Sequence, residues 1–211
     1  TAAFSLLFAA VMALREKHFK RRLAFSTMSN LSYILFSVML LTPEGLTGGL
    51  LHMLIHGVIK MMLFLCAGAF MHKTGCSYIY EINGIAKKMP VTFTCYTLGA
   101  LSLTGIPLFC GFISKWQLLS AGAQEGSAAA VIGTVSLIVS AFLCAMYTLT
   151  VSARAFFPMN GKDLYAQTEG SLEADTRMLI PIVVFTAANI YFGVQTGPIL
   201  SFLGRIAAGM L

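Results

Sequence analysis

Charged residues are scarce in this chain. Only 10% of its 211 residues are Asp, Glu, Lys or Arg, while 57% are hydrophobic and the mean hydropathy is +0.81. A soluble domain carries about a quarter charged residues. The shortage excludes an ordinary soluble domain and predicts a multi-pass membrane protein. The net charge of +6 does not indicate a nucleic-acid partner, because the basic residues stand in short loops beside apolar stretches, where the positive-inside rule places them.

Motifs that bind cofactors or metals are also missing. The five cysteines are scattered without CxxC spacing, which gives no zinc, iron–sulfur or disulfide pattern. Apart from the pair Gly48-Gly49, the glycines stand singly in apolar stretches or turns, so no nucleotide-binding loop is recognisable. We therefore expect no cofactor and no metal in this chain, and no redox active site of its own.

A signal-peptide pattern is absent as well. The chain begins at Thr1, inside an apolar run that ends at Leu14. A membrane crossing needs about 20 residues, so this run is too short to span. We expect residues 1–211 to be the C-terminal part of a longer protein, with a truncated span at 1–14.

Apolar stretches alternate with basic or polar loops along the rest of the chain. Five complete crossings are predicted, at about 23–41, 46–71, 90–122, 128–153 and 177–197. The positive-inside rule places the loops 15–22, 72–89 and 154–176 in the cytoplasm. The predicted fold is an all-α multi-span helical bundle in the inner (plasma) membrane. Residues 198–211 are too short to cross and should lie at the interface or pack on neighbouring helices.

The stretch 90–122 is the least regular of the predicted crossings. It is too short for two spans. The loop charges also place its two ends on opposite sides of the membrane, which requires an odd number of crossings. Gly105, Pro107 and Gly111 stand in its middle. We therefore predict one discontinuous transmembrane helix. Such breaks are tolerated where they line a protein-buried or water-filled cavity, and they are typical of transporter ion sites.

Three ionisable residues, His52, His56 and Lys60, follow one another at four-residue spacing inside the apolar stretch 46–71. On a helix this spacing forms one polar stripe, with successive members roughly 6 Å apart along the axis. Ionisable groups at membrane depth are expensive and call for a functional reason. Burial disfavours the charged form of Lys60, so its amine can accept and release a proton. We predict a proton relay; the alternative is that these side chains only bond neighbouring helices.

Further polar residues could extend this relay. Lys115 follows the helix break, and its alternative role is a lysine that snorkels to the membrane surface. Ser26, Ser29, Tyr33 and Tyr147 could line a hydrated path; the alternative for them is hydrogen bonding between helices.

Three of these patterns carry a family resemblance. They are the basic start of a helix, Lys20-Arg21-Arg22-Leu-Ala-Phe-Ser-Thr, the His52/His56/Lys60 helix, and Gly105-Ile-Pro followed by Gly111-Phe-x-x-Lys115. A late Leu-Ile-Pro at 179–181 fits more weakly. With them the sequence resembles the antiporter-like, proton-conducting membrane subunits of respiratory complex I and of Mrp cation/proton antiporters.

The resemblance implies a half-channel built from one of two inverted repeats. Lys60 with His52 and His56 would occupy central relay positions, and Lys115 the distal half-channel. It implies proton translocation in a complex I-type NADH-quinone oxidoreductase, with other membrane subunits and lipid as partners. An Mrp-type Na⁺/H⁺ antiporter or a membrane-bound hydrogenase would be alternative settings, with sodium as the alternative ion. A scaffold subunit that conducts nothing is the alternative of a different class. Any dehydrogenase activity would belong to the assembly.

Overall fold

The fold was examined in a computed structural model that describes residues 1–159, 163–167 and 170–210. These residues form eight α-helices, two short 3₁₀ turns and no β-strand. The helices are α1 (Ala2–Arg15), α2 (Phe19–Val38), α3 (Pro43–Thr74), α4 (Pro90–Thr104), α5 (Cys110–Glu125), α6 (Ala128–Phe156), α7 (Thr176–Val194) and α8 (Gly197–Ala208). The predicted fold class, an all-α membrane protein, is confirmed.

Three helices, α3, α6 and α7, are long and apolar enough to cross a membrane. Helix α2 has 20 residues, but its basic first turn and its serines make it less apolar. Helices α4 and α5 each fall short of a full crossing, and only together do they supply the predicted span at 90–122. The arrangement of five crossings stays a prediction.

Helix α3 begins at Pro43, three residues before the start predicted for the crossing 46–71. Thr42 is the N-cap of α3, and its hydroxyl accepts a hydrogen bond from the Gly45 N–H at 3.1 Å. Pro43 occupies the first helical position, where a missing N–H costs nothing. The chain reverses just before it, where Leu41 has a φ of 53°. Hydropathy marks the apolar part of a helix, whereas capping residues decide where it begins.

The predicted interruption in the 90–122 segment is confirmed. Helix α4 ends at Thr104, α5 begins at Cys110, and Gly105 adopts a left-handed φ of 94° at the C-cap. A glycine is also required at Gly111, because an added Cβ would lie only 1.9 Å from the Ser102 carbonyl oxygen. The two half-helices therefore approach each other closely across the break, which holds Pro107.

Helix α3 lies at the centre of the bundle and packs against α2, α4, α5, α7 and α8. Aromatic rings fill the core at one end, where the Phe19 ring meets those of Tyr96 and Phe70 at centroid distances of 5.4 and 6.2 Å. Helix α8 buries Leu203 and Ala207 as it packs on the bundle. Every polar side chain that α3 turns inward is thereby enclosed by other helices.

The connection between α3 and α4 is more ordered than the polar loop predicted for 72–89. Its two 3₁₀ turns bury Ile79, Ile82 and Ile85. Asn83 exchanges two hydrogen bonds of 3.0 Å with the backbone of Met159. This connection closes one end of the bundle. Lys162 and Glu169, which belong to the predicted loop 154–176, lie outside the described residues.

Candidate functional site

The polar stripe of α3 faces the interior of the bundle. His52, His56 and Lys60 are only 3%, 5% and 6% exposed, and the two imidazole rings stack with centroids 5.8 Å apart. Lys115 on α5 is 5% exposed. We call the set Ser26, Lys60, His56, His52, Ser114 and Lys115 the buried polar row. Its members come from α2, α3 and α5, so the fold joins residues that are far apart in sequence.

Lys60 stands at one end of the buried polar row. Its ammonium donates hydrogen bonds to the Leu23 carbonyl, at 3.0 Å, and to the Ser26 hydroxyl. The Ser26 hydroxyl in turn donates to the Leu23 carbonyl at 2.9 Å. No described carboxylate pairs with Lys60. A buried amine held only by neutral acceptors gains little from keeping its charge, which suits it to releasing a proton.

The contacts of the Ser114 hydroxyl favour one tautomer of His52. The hydroxyl oxygen lies 3.1 Å from the Gly111 carbonyl oxygen and 3.0 Å from His52 Nδ1. Donation to Gly111 and acceptance from His52 Nδ1–H satisfy both contacts with the single hydroxyl proton, and this tautomer has its lone pair on Nε2. The buried Nε2 has no hydrogen-bond partner among the described residues.

His56 stands between Lys60 and His52 on α3. Both of its ring nitrogens are buried and lack a hydrogen-bond partner in the part of the chain that the structure describes. Buried polar atoms in folded proteins almost always have a partner, either protein or water. Three such ring nitrogens at adjacent positions leave hydrogen-bonding capacity that water could satisfy.

Lys115 stands at the other end of the buried polar row, beside the helix break. Its ammonium donates to the carbonyls of Leu103 and Thr104 at 2.7 and 3.1 Å, and it lies 5.6 Å from the centroid of the Tyr33 ring. These carbonyls end α4, and the C-terminus of a helix carries a partial negative charge that favours a cation. The side chain points into the break and is too buried to snorkel to a membrane surface. The interruption of the helix thus creates the binding site for this lysine.

Hydroxyl groups form a second connection beside the row. Tyr33 donates to the Ser140 hydroxyl at 3.0 Å, and the Ser140 and Ser29 hydroxyls are 2.9 Å apart. The Tyr33 ring also contacts His52, with centroids 5.5 Å apart. Tyr147 is buried and lies beside Ser26. The predicted residues Ser26, Ser29, Tyr33 and Tyr147 are therefore all buried near the row.

Two residues of this site, Ser114 and Ser140, were not singled out by the sequence. Ser140 belongs to a stripe of small or polar residues at helical spacing on α6 (Gly133, Ser136, Ser140, Cys144 and Tyr147), a signal that could have identified it. Ser114 directly precedes Lys115, but only the packing of α5 on α3 brings it to His52. The described residues contain no group of three or more His, Cys, Asp or Glu side chains placed to hold a metal ion.

Comparison with known proteins gives a consistent result. A family model described as "NADH:quinone oxidoreductase/Mrp antiporter, TM" matches residues 1–144. The NADH-quinone oxidoreductase subunit N of Desulforudis audaxviator is 33% identical over 208 residues, which is 95% of this chain and 41% of the relative.

Two solved assemblies contain chains of the same fold. A chain of the Mrp complex from Dietzia sp. superposes with a TM-score of 0.87 at 24% identity, covering 98% of this chain and 45% of that one. A chain of respiratory complex I from Thermus thermophilus superposes with a TM-score of 0.84 at 26% identity, covering 98% and 42%. The chain thus spans less than half the length of these relatives. It belongs to the NADH:quinone oxidoreductase/Mrp antiporter transmembrane family.

Proposed function

We propose that this protein translocates protons across the membrane as an antiporter-like subunit of a complex I-type NADH-quinone oxidoreductase. The observation that carries the proposal is the buried polar row. Two lysines without described carboxylate partners stand at its ends, and two histidines stand between them. Ionisable groups at this depth are rare and mark ion pathways.

In this proposal the proton moves by short transfers between neighbouring side chains of the row, each of which alternates between a neutral and a charged form. Lys60 gives its proton, through water, to a free nitrogen of His56. From there it passes to His52 Nε2 and then, again through water, to the amine of Lys115. Each donor becomes neutral as each acceptor becomes charged. The three ring nitrogens without protein partners support the water positions that such transfers need.

The energy needed to move a proton across the membrane is similar to the energy of a moderate pKa change in a lysine or histidine. Moving one elementary charge against about 100 mV requires about 2.3 kcal/mol. A change of about two units in a pKa corresponds to about 2.7 kcal/mol. Modest changes in the hydration or neighbours of a buried amine reach that size. Redox chemistry in another subunit could therefore drive the relay without a cofactor in this chain.

Replacement of each lysine tests the proposal. In the complete protein within its native membrane, Lys60→Met and Lys115→Met each remove a titratable amine but keep an apolar chain of similar length. We expect pumping, measured as dye quenching in inverted vesicles, to fall at least about tenfold, because one station of the path is lost. Lys20→Met is the matched control, since Lys20 is exposed and outside the row.

Assembly levels decide how the result is interpreted. Unchanged pumping in both variants at normal assembly would refute conduction and favour a scaffold that conducts nothing. Loss of assembly in both variants would also favour the scaffold, unless Lys60→Arg and Lys115→Arg restore assembly without restoring transport.

An Mrp-type antiporter is a second candidate, favoured by the superposition on the Dietzia Mrp complex. The same module could also serve a membrane-bound hydrogenase. Transport assays with NADH, with hydrogen and with an imposed sodium gradient separate the three settings. NADH-driven pumping that is insensitive to sodium supports the complex I setting. We also propose the inner (plasma) membrane as the location, with the loops 15–22, 72–89 and 154–176 in the cytoplasm.

A further inference from the structure

A basic cavity lies at the end of the bundle where α1 and α6 end and α2 begins. Its Arg22 directly precedes Leu23, whose carbonyl accepts from Lys60. The cavity has a volume of about 240 Å³. Its lining includes the cations Lys17, Arg22 and Arg154 and the polar residues Tyr80 and Thr150. Arg22 stands in the first turn of α2 and Arg154 in the last turn of α6. Helix ends of this kind lie at the level of the lipid headgroups.

No carboxylate forms an ion pair with the cations of this cavity. None of the three cations forms a salt bridge within the described residues. The carboxylate of Glu16, which is adjacent to Lys17, accepts the backbone N–H groups of Lys17 and His18 at 2.9 Å each. The carboxylate of Glu81, beside Tyr80, accepts two backbone N–H groups in the same way. Both carboxylates are held by backbone groups and keep their charge near the cavity, where three cations still leave an excess of positive charge.

The two arginines keep hydrogen-bond donors available for a ligand. Arg22 is 9% exposed, and its guanidinium is fixed by the carbonyls of Leu14, Glu16 and Tyr147 at 3.0–3.1 Å. These bonds use three of its five N–H groups. The Nε of Arg154 is buried and has no partner in the described part of the chain. Guanidinium groups with free donors are suited to phosphate oxygens.

An apolar groove continues from this cavity along the outer face of α6. Its volume is about 390 Å³, and its lining includes Met146, Leu149 and Ala153. Thr150 lines both the cavity and the groove, so the two are neighbours on α6. A free anion would use only the cavity, whereas a phospholipid would place its phosphate in the cavity and an acyl chain in the groove.

We propose that this cavity and groove bind one anionic phospholipid, whose phosphate pairs with Lys17, Arg22 and Arg154. Basic pockets between transmembrane helices on the cytoplasmic side recognise anionic headgroups, and that leaflet carries the anionic lipids. The site joins α1, α2 and α6, and no member of the buried polar row lines it. Its occupant is thus a structural lipid of this subunit.

Lipid retention by the complete protein tests the proposal. The protein is placed in nanodiscs of phosphatidylcholine containing phosphatidylglycerol, and bound lipid is counted by native mass spectrometry after detergent release. We expect one phosphatidylglycerol to be retained. The double variant Lys17→Gln/Arg154→Gln should weaken retention about thirtyfold, at about fivefold for each charge lost. Arg21→Gln, an exposed cation outside the cavity, is the control and should retain the lipid.

Two further sets of variants identify the occupant. Ala153→Trp fills the groove and should lower retention, whereas Val139→Trp, on the exposed face of α6 outside the groove, should not. Arg154→Lys keeps the charge and should restore part of the binding, which separates a direct contact from misfolding.

Several outcomes would overturn the proposal. They are equal retention by wild type and double variant, equal loss in Arg21→Gln, and displacement of the lipid by millimolar inorganic phosphate. Retention unaffected by Ala153→Trp would show that the cavity binds an anion without an acyl chain in the groove. A cross-link between Lys17 and an acidic protein segment in the assembled complex would show that the occupant is a protein and not a lipid.

Discussion

At the scale of single residues, the contacts of the Ser114 hydroxyl favour one tautomer of His52. When Ser114 donates to the Gly111 carbonyl, it accepts from His52 Nδ1, and Nε2 is left free. The bond also fixes the orientation of the ring. A residue that never carries the proton can therefore affect its transfer.

Removal of this hydroxyl gives a prediction at the residue scale. In Ser114→Ala, His52 loses its only described hydrogen-bond partner, and both ring tautomers become accessible. We expect the pumping rate to fall about five- to tenfold, which corresponds to roughly 1 kcal/mol, the size of one net hydrogen bond. Vesicle pumping assays at matched assembly levels measure the effect.

Ser136→Ala is the matched control for this experiment. Ser136 is also a mostly buried serine in a helix, but it donates only to the Ile132 carbonyl of its own helix. Its replacement should leave pumping unchanged. Restoration of the rate by Ser114→Thr would support the orienting role, whereas full activity of Ser114→Ala would contradict it.

At the scale of elements, the break between α4 and α5 depends on close contact between the half-helices. The Ser102 side chain donates to Asn189 Oδ1 at 2.7 Å, and the Cys110 thiol donates to the same oxygen at 2.8 Å. Asn189 on α7 thus joins both sides of the break. The contact leaves no space at Gly111, and it sets the carbonyls of α4 where Lys115 binds them.

Gly111→Ala tests the importance of this contact. The new Cβ would overlap the Ser102 carbonyl, so α4 and α5 must move apart. We expect a loss of about 1–3 kcal/mol of stability from overpacking, seen as a lower thermal unfolding temperature or reduced assembly.

Gly68→Ala, in the apolar helix α3, is the appropriate comparison. Nothing lies within 4 Å of a Cβ added there, and alanine is the better helix former. It should be neutral or slightly stabilising. Equal behaviour of the two alanine variants would contradict the close-contact argument.

At the scale of the whole molecule, two ion pairs tie the ends of distant segments together. Lys73 at the end of α3 lies 2.6 Å from Asp175, the N-cap residue of α7, and Lys87 lies 2.8 Å from Asp163. The hydrogen bond from each lysine lowers the pKa of its carboxylate below the usual value of 3.8. Each pair has one member that is more than half exposed, Asp175 at 61% and Lys87 at 65%, so its contribution is small and screened by salt.

These pairs give a pH dependence with a defined sign. A lowered folded-state pKa means that stabilisation is fully present above the ordinary carboxylate pKa and is lost as pH falls through the lowered value. Asp175→Asn should therefore slightly lower the unfolding temperature at about pH 6 and have no effect at about pH 2. Thermal unfolding of the detergent-solubilised protein at the two pH values measures it.

A double-mutant cycle supplies the control for this prediction. Once Lys73→Gln has removed the partner, Asp175→Asn should have little further effect at about pH 6. Additive losses from the two substitutions, or a larger effect of Asp175→Asn at low pH, would show that the pair does not act as described.

Much of this architecture is accessible from the sequence because a membrane imposes strong rules. The helix break follows from Gly105, Pro107 and the loop charges, since a segment of that length cannot cross twice. The start of α3 at Pro43 was missed, because a cap is local chemistry that hydropathy does not report. The buried connection at 79–87 was missed since its isoleucines are interspersed with charged residues.

The sequence by itself determined that the chain is helical and membrane-embedded, that one helix is interrupted, and that His52, His56 and Lys60 share a face of α3. Those properties depend on composition and on the 3.6-residue period, which are local. Only the tertiary structure decided that Lys115 binds the end of α4, that Ser114 orients His52, and that Lys17, Arg22 and Arg154 line one cavity. Such relations join residues that are distant in the chain, and packing between helices alone fixes them.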